Sequence, residues 1–298
     1  MNHRVVQMLF VCLLLTGVAV SQIDSPTFRY ATINVPGAAS TEARGINNLG
    51  EIVGFFTVGN PFCTFGANCA IHGFRLINGK FSRIDIPGAL QTEVLGVNDF
   101  GDVAGAYFTS DNHLHGFLLH HTGLLQKINQ SGTDFTSANG VNNSLTVVGN
   151  GVTGFIWKNG TFTKLDITNH AVGGQSEDIN GISNLGVIVG DLFASDFFNG
   201  WQKAGPDLDI FARINGSDTR VMGTNARDDL VGSAAGRGFV SFHQEGAETS
   251  ETGEKLKPVP INAPGARTTT PWSINRFQAI VGTFIDDLNV SHGFLAVH

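Results

Sequence analysis

Along this chain the apolar residues fall in short runs that do not alternate cleanly with polar ones. "AIVGTFI", from Ala279, is apolar nearly throughout, and "EIVGFF", "DVAGAYF" and "VIVGDLF", from Glu51, Asp102 and Val187, are of the same kind. A run of this length predicts a strand buried on both faces. Each is preceded by a shorter strand-sized piece, as in "ARGIN", "VLGVN" and "TPWSIN". A tight turn joins the two, and in three copies it closes with Gly: "NNLG", "NDFG", "SNLG". Asn, Asp and Gly are the residues that hairpin turns demand. A third piece follows ("HGFRLI", "HGFLLH", "GFIWK", "HGFLAVH"), then in several copies a second hairpin signal at Asn78-Gly79 or Asn159-Gly160. The fourth piece is "FSRIDIPG", "LLQKIN", "FTKLDI" or "LKPVPINAPG".

The four-piece unit recurs. Its anchor residue is Asn47, Asn98, Asn142, Ser183, Asn225 or Asn275, and a Gly stands seven residues later each time: Gly54, Gly105, Gly149, Gly190, Gly232, Gly282. The anchors span 228 residues in five intervals, about 46 per unit, the length of a propeller blade. The start "TFRYATINVPGA" matches a fourth piece and the chain stops after a third, "HGFLAVH". Pairing the two would close a ring, whereas a linear solenoid would call for capping units instead. The expected fold is therefore all-β: a six-bladed propeller of four-stranded antiparallel blades, its last blade completed by residues 28–35.

Composition sharpens this picture. Of the 298 residues 42% are hydrophobic and 14% charged, against about 25% charged in ordinary soluble domains. With 38 Gly and 23 Phe, that suits apolar strands joined by tight turns. The net charge of −7 repels phosphates, which argues against nucleic acid and anionic membranes as partners. The opening "MNHRVVQMLFVCLLLTGVAVSQ" has one Arg, an apolar stretch from Val5 to Val20 and the small-x-small end Ala19-Val20-Ser21, the pattern of a secretory leader. Cleavage is expected after Ser21, leaving residues 22–298 as one exported domain, a monomer without a membrane span. Cys63 and Cys69 then remain as an even pair, expected to form a local disulfide that stiffens their loop. Half of a metal site with His72 is the alternative. Five Asn-x-Ser/Thr sequences, at Asn129, Asn142, Asn159, Asn215 and Asn289, would matter in a host that glycosylates exported chains.

His-Gly-Phe recurs at His72-Gly73-Phe74, His115-Gly116-Phe117 and His292-Gly293-Phe294, and decays to Gly154-Phe155, Gly200-Trp201 and Gly238-Phe239. With the "IN..G.VVG" hairpin before it, this resembles the extracellular repeat family named for a His-Ala-Phe motif, over nearly all of the chain after the leader. The resemblance implies export and a repeat architecture. It brings no catalytic signature.

Candidate chemistry lies where fourth strands pass to first strands, which by analogy with other propellers is the ligand-binding face. Three residues before the repeat Gly, or the Ser replacing it, stand Glu42, Glu93, Ser137, Asp178, Arg220 and Thr270, each following a Thr or, at Asp178, Glu177. Acids with one Arg around a channel mouth could bind a cation, a basic group or sugar hydroxyls. Two of them at a defined separation could act as acid and base on a glycoside. The plainer alternative is solvated polar residues entering a strand. The recurring His is expected to be a hydrogen-bonding residue at a strand start, and His113, His115, His120 and His121 offer at most surface capture of a metal. No cofactor is expected, calcium being the one ion admitted. No nucleophile elbow, metalloprotease motif or phosphate loop is present. Three functions follow in order: a binding module for glycans or a protein partner, a secreted carbohydrate-active hydrolase or lyase, and a structural envelope protein.

Overall fold

The computed structural model describes residues 27–165, 167, 174–194, 196–211, 213–243 and 256–298. The expected leader, residues 1–21, lies outside the described residues. The strands form six separate four-stranded antiparallel sheets. The outer strand of the last blade is β1 (Arg29–Ile33), and blade 1 holds β2 (Ser40–Ile46), β3 (Ile52–Val58), β4 (Ala70–Ile77) and β5 (Lys80–Ile84). Blade 2 runs from β6 (Gln91–Val97) through β7 (Val103–Phe108) and β8 (Leu114–Leu119) to β9 (Leu125–Ile128). The first strands of the next three blades are β10 (Ser137–Val141), β14 (Gly174–Ile182) and β18 (Thr219–Thr224). Blade 6 comprises β22 (Thr268–Ile274), β23 (Ile280–Ile285) and β24 (Ser291–Val297), with β1 as its fourth strand. In that pairing Tyr30 lies opposite Ala296 and Thr32 opposite Phe294. First strands touch from blade to blade all the way round, β22 meeting β2 again. They form the inner wall of a six-bladed β-propeller.

The repeated residues are explained by packing. A Cβ on Gly54 would fall on the carbonyl oxygen of Glu42 and lie 2.8 Å from the ring of Phe74. The seven-residue Gly and the Phe of His-Gly-Phe are thus one unit, repeated as Gly105 under Phe117, Gly149 under Phe155, Gly190 under Trp201, Gly232 under Phe239 and Gly282 under Phe294. All six rings are buried, each stabilising the fold by about 1.5–3 kcal/mol. The middle Gly of the motif serves the contact between blades: a Cβ on Gly73 would approach Val94 Cγ2 of blade 2 to 2.6 Å.

The anchor Asn ties blade to blade. In Asn98, Oδ1 accepts from the backbone N–H of Phe100 (3.0 Å) and Asp102 (2.9 Å), fixing the turn. Its Nδ2 donates to Asp102 Oδ2 (2.8 Å) and to the carbonyl of Asn142, the next anchor (3.3 Å). Asn47 reaches the Asn98 carbonyl, Asn142 that of Ser183, Asn225 that of Asn275, and Asn275 that of Asn47. The belt is broken at Ser183, which has no amide to send to Asn225. Asn142 is buried in this belt, which removes it from the candidate glycosylation positions; Asn129, Asn159, Asn215 and Asn289 are exposed.

Cys63 and Cys69 are disulfide-bonded. Buried Gln91, at the head of β6, clamps their loop onto blade 2: its Nε2 donates to the carbonyls of Ala67 and Cys69 (both 3.0 Å), and its Oε1 accepts from Gly66 N–H (2.8 Å). No helix among the described residues is long and apolar enough to cross a membrane.

Candidate functional site

In every blade the pairing of first and second strands slips by one residue at the same place, as between Ala43 and Gly45 or between Pro271 and Ser273. Such a bulge re-aims a side chain. Arg44, Leu95, Asn139, Asn180, Met222 and Trp272 are the extra residues, and all six line an axial cavity of about 50 Å³. Deeper, the first strands close in: a Cβ on Gly96 would come within 3.0 Å of Gly140 Cα. The axis therefore has room for a few waters and none for a sugar ring.

At the far end amides line a cavity of about 70 Å³. Asp99 Oδ2 accepts from Nδ2 of Asn48 (2.9 Å), Asn143 (2.8 Å) and Asn184 (3.0 Å). Burial alone would raise the Asp99 carboxyl, but these donors outweigh it and hold it below the usual range. A carboxylate so satisfied is structural.

The sequence-predicted residues divide into two groups at the near end. Glu42 lies 3.5 Å from Arg44, whose guanidinium carbon is 3.4 Å from the centre of the Trp272 ring. Burial pushes the Glu93 carboxyl up to about 8; Arg44 opposes this and Glu42 adds to it. Glu42 is raised for the same first reason, with Arg44 opposing. Its side chain keeps 25% of its surface accessible, yet the surrounding blades displace most of the bulk water that would solvate a charge. In blades 4 and 5, Arg220 stacks on Phe198 at 3.6 Å and lies 3.9 Å from Asp191. Asp191 also accepts from Asn180 Nδ2 (2.6 Å). Burial first, with Asp178 adding, pushes Asp191 up to about 6 against the opposing Asn180 and Arg220. Asp178 is raised by burial and eased by Arg220. Ser137 is bonded to Asn139 at 2.5 Å, and the side chain of Glu177 lies outside the described residues.

Arg44 and Asp191 were not anticipated. The signals were there: an Arg just before the repeat Gly, and a lone acid inside the apolar "VIVGDLF". Only the bulge and the ring of blades give those residues neighbours.

The residues flanking these groups hold the scaffold. Thr41, Thr92, Thr136 and Thr269 each accept a backbone N–H from six residues earlier, closing the loop into the first strand. The recurring His ties third strand to fourth: Nδ1 of His72, His115 and His292 bonds Asp85, Asn129 and Asn34 (2.9–3.1 Å).

A wider recess lies off the axis, between the disulfide loop and blade 2. Phe65, Phe108, Leu114 and Phe135, with Asn112, Thr133 and Asp134, line an open cleft of about 590 Å³. That is within the size range of ligand pockets.

No family model matches the chain, and no curated protein matches it. Among solved structures it is similar to YCF48 from Cyanidioschyzon merolae, with 8% identity over 90% of this chain and 98% of that one and a TM-score of 0.47. It is similar to the Aleuria aurantia lectin, a mutant in complex with Fucalpha1-6GlcNAc, at 8% identity, 86% and 91% coverage and a TM-score of 0.45. A mutant of AofleA from Arthrobotrys oligospora matches at 11% identity, 91% and 83% coverage and a TM-score of 0.41. Likenesses this distant carry no argument about ligand or activity; the propeller stands on the strand pairing itself.

Proposed function

We propose that the protein is an exported glycan-binding module that reads its ligand on the face bearing the disulfide loop and the channel mouth. One observation carries this reading: the aromatic cleft between blades 1 and 2. Its Phe rings offer apolar platforms for the C–H faces of a sugar, and Asn112, Thr133 and Asp134 supply hydrogen-bonding groups that fix orientation. The disulfide and the Gln91 clamp pre-order one wall, which reduces the entropy lost on binding. Glu42, Glu93, Asp178 and Arg220 at the channel mouth are proposed as a second contact for a longer ligand. The leader pattern and the disulfide support export, and the His-Gly-Phe strands support kinship with the His-Ala-Phe repeat proteins.

A second reading has one observation in its favour. Glu93, whose carboxyl burial pushes up to about 8, is electrostatically coupled to Glu42, which burial also raises, and two neighbouring carboxyls are the groups a glycoside hydrolase works with. Such an enzyme would use them at the mouth, since the axis below is too narrow. The test is a glycan array of the parent beside Phe135→Ala, and beside a Glu42→Ala, Glu93→Ala, Asp178→Ala triple variant. Loss in Phe135→Ala alone supports the cleft. Loss in the triple variant alone moves the site to the mouth, and cleavage of the bound glycan there supports the hydrolase. No glycan bound by folded parent protein overturns both readings.

A further inference from the structure

The loop from β7 into β8 carries Asp111, His113 and His115, and one ligand atom from each lies within 4.8 Å of the others. We propose that these three side chains hold a divalent transition-metal ion of the zinc class at the rim of the aromatic cleft. Two imidazoles and a carboxylate form a donor set for zinc and its neighbours in the transition series. Calcium takes six to eight oxygen ligands, so the one ion admitted from sequence does not suit this set.

What separates this cluster from chance juxtaposition is that each of its two imidazoles faces a partner outside the set. Asn129 Oδ1 is 3.0 Å from His115 Nδ1. An amide oxygen only accepts, so Nδ1 carries the proton and Nε2 presents its lone pair. Asp134 Oδ1 lies 3.3 Å from His113 Nε2, and His113 Nδ1 faces Asp111 at 3.7 Å. Thr109 Oγ1 donates to Asp111 Oδ1 (2.5 Å) and lies 3.0 Å from His115 Nε2, the nitrogen the ion would take, so Thr109 must turn aside as the ion enters. Carboxylate and carbonyl partners of this kind orient metal ligands and raise their basicity.

Backbone bonds order the cluster beforehand. Thr109 N–H donates to the His113 carbonyl (3.1 Å) and Asn112 N–H to that of Thr109 (3.1 Å), closing a tight loop. Leu114 N–H donates to the Asp134 carbonyl at 2.8 Å, which brings Asp134 alongside. The His115 ring stacks on Tyr107 with centroids 5.0 Å apart. Metal–ligand bonds of about 2.0–2.2 Å require the donors to converge further, a movement these exposed or half-exposed side chains make by rotation. The other blades lack the set: Ala70 and Val290 stand where His113 does relative to the recurring His.

The test titrates tag-free, metal-stripped protein with Zn²⁺ and with Ca²⁺ by calorimetry. One Zn²⁺ per chain is expected, with no Ca²⁺ heat. His113→Ala and Asp111→Asn should each weaken Zn²⁺ binding by roughly tenfold or more, while His121→Ala leaves it unchanged. His113 has 41% of its side chain exposed, and unchanged melting temperatures without metal would show that these variants fold. Co²⁺ in place of Zn²⁺ should give visible absorption that His113→Ala abolishes. Absence of Zn²⁺ binding by the parent would overturn the proposal. So would binding indifferent to both cluster variants, Ca²⁺ bound as tightly as Zn²⁺, or loss in His121→Ala alone, which would place the ion by His120, His121 and Asp102.

Discussion

The broken belt can be completed. Ser183→Asn restores at the fourth anchor what the other five have. The new Oδ1 replaces the Ser183 hydroxyl, which now accepts from Val187 N–H at 3.2 Å, and the new Nδ2 reaches toward the Asn225 carbonyl. One added buried hydrogen bond is worth about 0.5–1.5 kcal/mol net, or roughly 1–2 °C in melting temperature for a chain of this size. The converse, Asn98→Ser, removes two donations, one to the buried carboxylate of Asp102 and one to the Asn142 carbonyl. Bonds to charged groups contribute about 1.5–3 kcal/mol and neutral ones about 0.5–1.5, so the loss should be about 2–4 kcal/mol. The assay is urea unfolding of both single variants and the double, followed by circular dichroism. Asn142 joins the two sites, accepting from Asn98 at its carbonyl and donating to that of Ser183, so the departure of the double variant from additivity measures the coupling carried along the belt. A Ser183→Asn variant no more stable than the parent, or an Asn98→Ser loss below about 0.5 kcal/mol, would refute the claim that this belt holds the blades together.

Gly54→Ala should destabilise by about 3 kcal/mol, the upper range for overpacking, because the new methyl meets backbone at Glu42 as well as the Phe74 ring; urea unfolding measures it. Glu93 binds its proton more tightly folded, at about 8, than unfolded, near 4.3. Stability should therefore fall as pH rises through that window. Glu93→Gln should match the parent at pH 4 and exceed it increasingly up to pH 8, as read from melting temperatures across that range. Gln91→Ala removes the clamp on the disulfide loop and should speed amide exchange across residues 63–69 with little change in global melting temperature. If the cleft binds glycan, affinity should fall in the same variant.

The architecture was legible because a propeller writes its fold into the chain several times. Anchor Asn, the Gly seven residues on, and the Gly-Phe of the third strand each recur because each blade repeats the same turn, close approach and ring contact. The offset termini likewise stated the ring closure that β1 and β24 make. The candidate site was legible only in part. Glu42, Glu93, Asp178 and Arg220 could be picked out as charged residues at one repeat position, but their partners lie in other blades. Glu93 is coupled to Arg44 in blade 1, Arg220 to Asp191 in blade 4, and Arg44 to Trp272 in blade 6. The local pattern sets strands, turns and the faces they bury, since these depend on residues a few positions apart. Which charges share a low-dielectric mouth, and that Phe65 and Phe135 face one cleft, depend on how bulges and blade packing bring distant strands together, and only the tertiary structure decides that.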